Sequence, residues 1–351
     1  MGIILQIQDN LDTLVNENFT NIRYNMINGL STIKILCSWM MALTNARVIY
    51  NPTSGRETFK RYLPEVLAKL EDAGYETSTH ATTGKGDATV AARYAVENDF
   101  DLVVAAGGDG TLNEVINGLA KAERRPRLGI IPAGTTNDFA RSLRIPRDIS
   151  KAIDVIVSGQ TVPIDIGQMN DRYFINIAGG GQLTELTYEV PIKLKTVLGQ
   201  LAYYLKGIEM LPSLRPYEVR IEYDGKEFSG EAMIFLICQT NSVGGFEHLA
   251  PDASINDGYF DLIILEKTNL ADFVRLATLA LRGEHLHDPK VIYDKASYIK
   301  VTAPEEVLIN LDGELGGKTP VEFRNLYRHL EVFAPVDQLR KEDRIDHDSL
   351  Q

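Results

Sequence analysis

The run Gly107–Thr111, with the sequence GGDGT, is the part of this chain most suited to chemistry. It follows an apolar segment at 101–106 and precedes a predicted helix. Glycines at such a point let backbone N–H groups approach a phosphate without steric conflict, and a helix N-terminus favours an anion. Asp109 lies among those amides, where a carboxylate can act on a metal ion or a proton. The alternative is a tight strand-to-helix turn that needs glycine for its shape alone.

Two further polar loops support the phosphate-binding interpretation. Asn51–Gly55 has the sequence NPTSG, Gly134–Asp138 has the sequence GTTND, and each follows a predicted strand. Open α/β sheets bind ligands at the carboxyl ends of their strands, and hydroxyls with small residues suit phosphate and ribose. Ser, Thr and Asn are also ordinary helix-capping residues. The chain has neither a GxxxxGK[ST] loop nor a GxGxxG fingerprint, which disfavours a P-loop ATPase and an NAD-dependent dehydrogenase.

Carboxylates in the second half of the chain form two candidate sites. Leu311–Glu314 has the sequence LDGE and places Asp312 and Glu314 on a turn, where a carboxylate could accept the proton of an attacking hydroxyl. The alternative is an Asp-Gly hairpin turn followed by a solvated Glu. Ser254–Tyr259 could present oxygen ligands to Mg²⁺, or it could be an Asn-Asp-Gly turn before a strand. The histidines form no recognisable catalytic motif.

Strands and helices alternate around the first three loops. This alternation predicts a parallel sheet covered by helices. Thr111 and Glu114 have the spacing of a capping box, which predicts a helix that starts at about residue 112. The predicted strands are 46–50, 76–80, 101–106 and 127–131, and the predicted helices are 57–73, 87–98, the one from about 112, and 137–143.

Short strands dominate after about residue 160. Asp224–Gly225 is a hairpin signal, and one helix is predicted at 270–282. The pattern predicts an antiparallel sandwich. The predicted strands are 162–168, 173–178, 217–223, 227–239, 259–265, 298–303, 307–311 and 330–333.

The predicted fold class is therefore an α/β nucleotide-binding domain with a parallel sheet, followed by an antiparallel β-sandwich domain. We expect an extension outside the fold at 1–40, which should be dispensable. The α/β domain covers 41–161 and the β-sandwich covers 162–335. A charged tail at 336–351 is expected at the periphery or packed back on the first domain.

Composition limits the classes of partner. The chain has 351 residues and a net charge of −12. Duplex-DNA binders normally carry a basic excess, so nucleic acid is a poor partner. An anionic membrane would repel the chain on average, so contact with it requires a local patch, which we predict near 190–215. No apolar run reaches the ~18–20 residues that span a bilayer, and no signal-peptide pattern is present, so we expect a cytoplasmic protein.

Four motifs occur in the order found in one protein family. These are NPTSG at 51–55, GGDGTLNE at 107–114, GTTNDFA at 134–140 and LDGE at 311–314. Together they resemble the soluble bacterial diacylglycerol kinases, whose catalytic domain is shared with sphingosine and ceramide kinases. The resemblance runs from about Arg47 to about Pro335, and it implies an α/β nucleotide domain, a β-sandwich and a catalytic cleft between them.

The resemblance also implies site residues. Glu314 would be the proton acceptor, with Asp312 essential and Asp109 in the same catalytic group. A Mg²⁺ would be held by Ser254, Asp257 and Tyr259. The nucleotide-binding residues would be Asn51, Pro52, Thr53, Ser54, Gly55, Thr82, Gly108, Asp109, Gly110, Thr111, Leu112, Asn113, Glu114 and Thr135.

The expected activity is transfer of the ATP γ-phosphate to the hydroxyl of diacylglycerol, giving phosphatidic acid. The expected partners are ATP, Mg²⁺ and diacylglycerol in the membrane, with peripheral contact at the inner membrane face and a homodimer. One alternative is a related kinase for another lipid or small alcohol, such as a sphingoid base or NAD. Another is a nucleotide-binding regulator without catalysis, although a regulator has no need for all three carboxylates Asp109, Asp312 and Glu314.

Overall fold

The computed structural model of the chain describes residues 44–181, 215–241 and 248–344. The predicted extension at 1–40, the predicted membrane patch up to residue 214 and the end of the tail at 345–351 lie outside these ranges. The described residues belong to one compact unit that begins at Thr44. Within them, no helix is both long and apolar enough to cross a bilayer.

The first part of the described chain is a parallel sheet with helices on its faces. Its strands lie in the order β2-β1-β3-β4, and each neighbouring pair is parallel. Strand β3 is buried along its whole length, as expected for a strand covered on both faces. The elements are β1 (Thr44–Tyr50), α1 (Phe59–Asp72), β2 (Tyr75–Ala81), α2 (Asp87–Glu97), β3 (Leu102–Gly107), α3 (Asp109–Leu119), β4 (Arg127–Pro132), α4 (Asp138–Ser142) and α5 (Ile149–Val157), with a 3-10 turn at Ser54–Glu57.

Helices α2 and α3 pack unusually closely because both use small residues at their contact. The buried face of α2 consists of alanines. A Cβ atom on Gly118 of α3 would lie 2.6 Å from the Cβ of Ala92. This close packing holds α3 against α2 near the end of α3.

The remaining strands pair antiparallel with one another. They are β5 (Thr161–Met169), β6 (Arg172–Phe174), β7 (Ile177–Gly180), β8 (Tyr217–Tyr223), β9 (Lys226–Cys238), β10 (Phe260–Glu266), β11 (Val291–Ala296), β12 (Tyr298–Thr302), β13 (Leu308–Leu311), β14 (Glu314–Lys318) and β15 (Val321–Phe333), and helix α6 (Leu270–Ala280) lies between β10 and β11. The predicted fold class is confirmed: parallel strands with helices come first, and a β-sandwich-like domain of mostly antiparallel strands follows.

Strand β15 links the antiparallel strands to the parallel strands, so that the two parts form one continuous sheet. It pairs antiparallel with β12 and β5, and near its end Val332 pairs in parallel with Leu128 of β4. Leu330, Val332 and Phe333 complete the apolar core under the first sheet. A second core lies within the antiparallel strands, where the ring of Phe174 stacks 5.7 Å from that of Phe260. Full burial of each such side chain contributes about 1.5–3 kcal/mol.

Two local predictions are wrong. Helix α3 starts at Asp109 and not near residue 112, because Gly108 is its N-cap and Thr111 already lies in its first turn. Glu114 closes no capping box, since its carboxylate accepts hydrogen bonds from another loop. The predicted strand 173–178 is two strands, β6 and β7, because the amides of Ile175 and Asn176 turn toward a buried carboxylate.

Candidate active site

Three loops meet at the carboxyl ends of β1, β3 and β4, as the sequence predicted. Backbone and side-chain hydrogen bonds connect them directly. The amide of Asn51 donates to the carbonyl of Ala106 at 3.0 Å, and the hydroxyl of Ser54 donates to the carbonyl of Ala133 at 2.8 Å. The amide of Ala133 donates to the carbonyl of Gly107 at 2.8 Å. The NPTSG, GGDGT and GTTND loops therefore form one rigid edge of the sheet.

Glycine is required where these loops touch. A Cβ on Gly134 would lie 2.4 Å from the Cα of Gly108, so the two backbones approach each other directly. Gly55 has a φ of +55°, and its Cβ would lie 2.2 Å from the carbonyl oxygen of Ala133. Neither contact leaves room for a side chain.

The start of α3 presents backbone amides to this edge. The first intrahelical hydrogen bond runs from the amide of Leu112 to the carbonyl of Gly108 at 3.1 Å. The amides of Asp109, Gly110 and Thr111 are therefore not used within the helix. A Cβ on Gly110 would meet nothing within 4 Å, so the loop surface is open at this point. The amides of Gly110 and Thr111 and the helix dipole suit a phosphate.

The Asp109 carboxylate faces the start of α4. Burial raises its pKa, and the backbone amides of Asn137, Asp138 and Phe139 oppose that rise. Its Oδ1 atom is buried and has no hydrogen-bond partner among the described residues. Asp109 thus lies beside the phosphate-binding amides and lines the same small cavity as Asn137 of the GTTND loop.

Asn113 and Glu114 hold neighbouring elements in place. Asn113 Nδ2 donates to Asp312 Oδ2 at 2.9 Å, across from α3 to the LDGE turn. The Glu114 carboxylate accepts from the amides of Gly86 at 2.8 Å and Ala88 at 3.1 Å, which fixes the loop before α2. Both side chains hold neighbouring loops in place. Their contact with nucleotide, which the resemblance implies, stays a prediction.

The other predicted nucleotide residues line the same edge. Asn51 Oδ1 accepts from the amide and the hydroxyl of Thr53, each at 2.9 Å, which shapes the NPTSG loop. The amide of Thr82 donates to the carbonyl of Tyr50 at 2.9 Å and brings the end of β2 beside β1. Thr135 is exposed on the GTTND loop, whereas the side chain of Leu112 is buried in the core and leaves only its backbone for contact.

Asp312 is the anchor of the LDGE turn. Its carboxylate accepts hydrogen bonds from the amides of Ile175 at 2.8 Å and of Asn176 and Ile177 at 2.9 Å, in addition to Asn113. Its backbone has a φ of +49°, which a short polar side chain tolerates. Burial raises the pKa of the Asp312 carboxyl, and the four donors oppose that rise.

Glu314 begins β14 and faces the loops of the parallel sheet. Its side chain is one third exposed. Its Oε2 atom lies 2.9 Å from Nζ of Lys85, on the loop between β2 and α2, and 4.0 Å from a guanidinium nitrogen of Arg172. The structure therefore brings a carboxylate from the second sheet to the edge that carries the phosphate-binding loops.

The predicted metal loop lies on the segment before β10. Asp257 Oδ2 pairs with Nζ of Lys295 at 2.7 Å, and Asp257 Oδ1 accepts from the amide of Tyr259 at 3.0 Å. The hydroxyl of Ser254 donates to Asp343 at 2.9 Å, which leaves its carbonyl for other contacts. The tail residue Asp343 is thus packed against this loop.

Two further carboxylates lie near Asp257, and the Lys295 ammonium, 2.7 Å from Asp257 and 3.9 Å from Asp261, balances one of the three negative charges. Burial raises the pKa of Asp165 and of Asp261 to about 6 in each case, and the negative charge of Asp257 adds to both shifts. Within the described residues, no group of three or more His, Cys, Asp or Glu side chains could hold a metal ion. A Mg²⁺ here would need backbone carbonyl oxygens beside the Asp257 carboxylate, and such a set of hard oxygens fits Mg²⁺.

Sequence reasoning missed two residues that shape the site. Asn117 follows Asn113 by one helical turn, and it brackets Tyr173 by donating to its carbonyl and accepting from its amide, each at 3.0 Å. The i, i+4 spacing of two asparagines on α3 was the available signal. Lys85 lies between two glycines, and nothing in the sequence indicated its contact with Glu314.

Comparisons with known proteins agree with this geometry. Residues 45–169 match the diacylglycerol kinase catalytic domain, and residues 188–334 match the YegS C-terminal NAD kinase beta sandwich-like domain. A diacylglycerol kinase of Bacillus subtilis (strain 168) is 66% identical over 302 residues, which are 86% of this chain and 100% of that protein. A diacylglycerol kinase of Staphylococcus aureus (strain Newman) is 57% identical over 297 residues, 85% of this chain and 94% of that protein.

Solved structures give the same result. The crystal structure of a diacylglycerol kinase from Bacillus anthracis str. Sterne aligns with a TM-score of 0.70 at 28% identity, covering 83% of this chain and 97% of that chain. Another crystal structure from the same strain aligns with a TM-score of 0.73 at 29% identity, covering 83% of this chain and 95% of that chain. The resemblance seen in the four motifs is confirmed, and the chain belongs to the diacylglycerol kinase family.

Proposed function

We propose that the chain is an ATP-dependent lipid kinase that phosphorylates the hydroxyl of diacylglycerol and releases phosphatidic acid and ADP. The observation that carries the proposal is the position of Glu314. The Asp312 anchor holds the LDGE turn, and Glu314 then faces the loop between β2 and α2, beside the phosphate-binding edge. A carboxylate held at that edge suits transfer of a phosphoryl group to an alcohol.

The reaction follows from these positions. The amides at the start of α3 bind the phosphates of ATP, and the NPTSG and GTTND loops enclose the rest of the nucleotide. The oxygen of the lipid hydroxyl attacks the γ-phosphorus in line with the leaving oxygen of ADP. As the new P–O bond forms, the hydroxyl proton passes to the Glu314 carboxylate, and the bond from the γ-phosphorus to ADP breaks. Asp312 does not touch the reacting atoms and keeps Glu314 in position.

Mg²⁺ has two places in this proposal. One ion accompanies ATP and supplies electrostatic stabilisation of its phosphates. A second would be held by Asp257, with backbone oxygens of Ser254 and Tyr259. Asp165, Asp257 and Asp261 lie near one another and Lys295 balances only one of their charges, which supports a cation there.

The proposal includes contact with a membrane and with a second copy of the chain. Diacylglycerol resides in the bilayer, so a kinase that uses it must reach the lipid surface from the cytoplasmic face. We propose peripheral binding at the inner membrane face, which vesicle co-sedimentation would test. We also propose a homodimer, which light scattering on the purified protein would test.

The activity test compares acceptors. The purified protein is incubated with γ-labelled ATP and Mg²⁺ and with mixed micelles that contain diacylglycerol or sphingosine, or with NAD in solution. We expect labelled phosphatidic acid as the main product. Preferential labelling of sphingosine or NAD would show that diacylglycerol is not the preferred substrate. No phosphoryl transfer to any acceptor would favour a nucleotide-binding regulator.

Glu314→Gln tests the proton acceptor. Gln keeps the size and hydrogen bonding of the side chain but cannot take the proton. We expect turnover to fall by roughly 10²–10⁴-fold, the usual contribution of a positioned base, while ATP binding and Tm remain unchanged. Glu97→Gln, at the exposed end of α2, is the matched control and should keep full turnover. Near-normal turnover of Glu314→Gln would remove this residue from the mechanism.

A further inference from the structure

Lys85 forms an ion pair with the proposed base. It lies between Gly84 and Gly86 on the loop from β2 to α2, and its side chain is 80% exposed. Its Nζ atom lies 2.9 Å from Oε2 of Glu314. The ion pair therefore spans from the parallel sheet to the antiparallel sheet, across the space where the reacting groups are proposed to meet.

The loop that carries Lys85 is held without help from the lysine. The Glu114 carboxylate accepts from the amides on either side of Asp87, those of Gly86 and Ala88. Asp87 itself accepts from the amide of Thr83 at 2.7 Å and from its hydroxyl at 2.8 Å. The Lys85 side chain can therefore change partner while its backbone stays in place.

The Lys85–Glu314 pair is exposed, and exposed pairs between single charges are weak. A terminal phosphate carries more negative charge than a carboxylate, and lysine binds phosphate as a point charge. In the proposed reaction the acceptor hydroxyl lies within hydrogen-bond reach of Glu314 and about 3–3.5 Å from the γ-phosphorus. An ammonium that reaches Oε2 of Glu314 thus lies within one side-chain rotation of the γ-phosphate.

We propose that Lys85 binds the terminal phosphate of ATP and exchanges Glu314 for it as its partner. This inference rests on the proposed kinase reaction, and the exchange has two consequences for that reaction. It adds a contact that ATP makes and ADP does not, and it takes the Lys85 ammonium away from the Glu314 carboxylate, which accepts the hydroxyl proton. Lys85 thereby couples occupation of the γ-phosphate position to the availability of the base.

The test compares ATP with ADP. Affinities of both nucleotides, with Mg²⁺ and without any lipid, are measured by calorimetry for the wild-type chain, Lys85→Gln, Lys85→Arg and Lys121→Gln. Lys121 is an exposed lysine beyond the far end of α3 and serves as the control. We expect Lys85→Gln to weaken ATP binding by about tenfold or more and ADP binding by less than about twofold, as for loss of one charge-assisted hydrogen bond. Lys85→Arg should recover most of the ATP affinity, and Lys121→Gln should match wild type.

Kinetics give a second readout. Lys85→Gln should raise the KM for ATP and lower kcat, with the KM for diacylglycerol unchanged. Equal weakening of ATP and ADP, or no weakening of either, would overturn the inference. The binding assay uses no acceptor. If Lys85→Gln leaves the ratio of ATP affinity to ADP affinity unchanged and the wild-type chain phosphorylates diacylglycerol, only the role of Lys85 is refuted. Failure to phosphorylate any lipid refutes the proposed function and leaves the binding result to decide on Lys85.

Discussion

Asp312→Asn should damage the site far more than its conservative chemistry suggests. The two carboxylate oxygens of Asp312 each accept from two donors: Oδ2 from Ile175 and Asn113, and Oδ1 from Asn176 and Ile177. An asparagine side chain replaces one of these oxygens with an NH₂ group. In either orientation, two buried donors lose their acceptor and face another donor.

The magnitude follows from that count. A buried donor left without a partner costs about 1–3 kcal/mol, so two of them give about 2–4 kcal/mol after some relaxation. At about 2–4 °C per kcal/mol for a chain of a few hundred residues, Tm should fall by about 4–16 °C. Turnover should fall by about tenfold or more at temperatures where the variant remains folded, because the LDGE turn no longer fixes Glu314.

The assay combines differential scanning fluorimetry, ATP binding and transfer to diacylglycerol. Asp224→Asn is the matched control. Asp224 also has positive φ and also caps backbone amides, those of Ser297 and Tyr298, but it lies on the exposed hairpin between β8 and β9. The Asp224→Asn variant should be somewhat less stable than wild type and should keep the turnover of wild type. If Asp312→Asn keeps the Tm and turnover of wild type, the carboxylate is not the anchor described here.

Three further predictions concern separate parts of the molecule. Gly55→Ala should weaken ATP binding by about tenfold and lower Tm, because its Cβ would meet a carbonyl oxygen at 2.2 Å, whereas Gly74→Ala, with open space around it, should keep ATP affinity. Asp257→Ala should lower both activity and the Mg²⁺ content measured by elemental analysis, while ATP still binds; full activity would exclude a metal role for it. Burial lowers the pKa of His329, so the stability it contributes is present above the ordinary histidine pKa and is lost as the pH falls below it. The fall in Tm between pH 7.5 and 5 should therefore be smaller for His329→Gln than for exposed His287→Gln, when Tm is measured at steps of about half a pH unit.

The parallel sheet was predictable because strands that are buried on both faces are apolar along their whole length. Strand β3 lies under helices on both faces, so it reads as an unbroken apolar run bounded by Asp101 and the GGDGT loop. Strand β15 shows the opposite case, since only its last four residues were predicted. Its first part runs past solvent, where Glu322 and Arg324 alternate with buried Val321 and Phe323, and an irregular pairing between Leu326 and Leu330 interrupts that alternation.

In the site, features formed by neighbouring residues were predictable from the sequence, whereas contacts between distant residues were not. The glycine-rich loops and the LDGE turn were predictable because their chemistry depends on neighbouring residues. The partners of Asn113 and Lys85 were not, since each lies roughly two hundred residues further along the chain. Only the folded sheets bring α3 to Asp312 and the loop before α2 to Glu314.

The pairing of β15 with β4 also decides when the first core can close during synthesis. Val332 meets Leu128 roughly two hundred residues after that strand has emerged, and Phe333 lines the core beneath the parallel sheet. Until then β4 is a bare, apolar edge, of the kind that recruits strands from other chains. A chain that ends before Val321 should therefore leave β4 exposed and aggregate, because its α/β half lacks the strand that covers this edge.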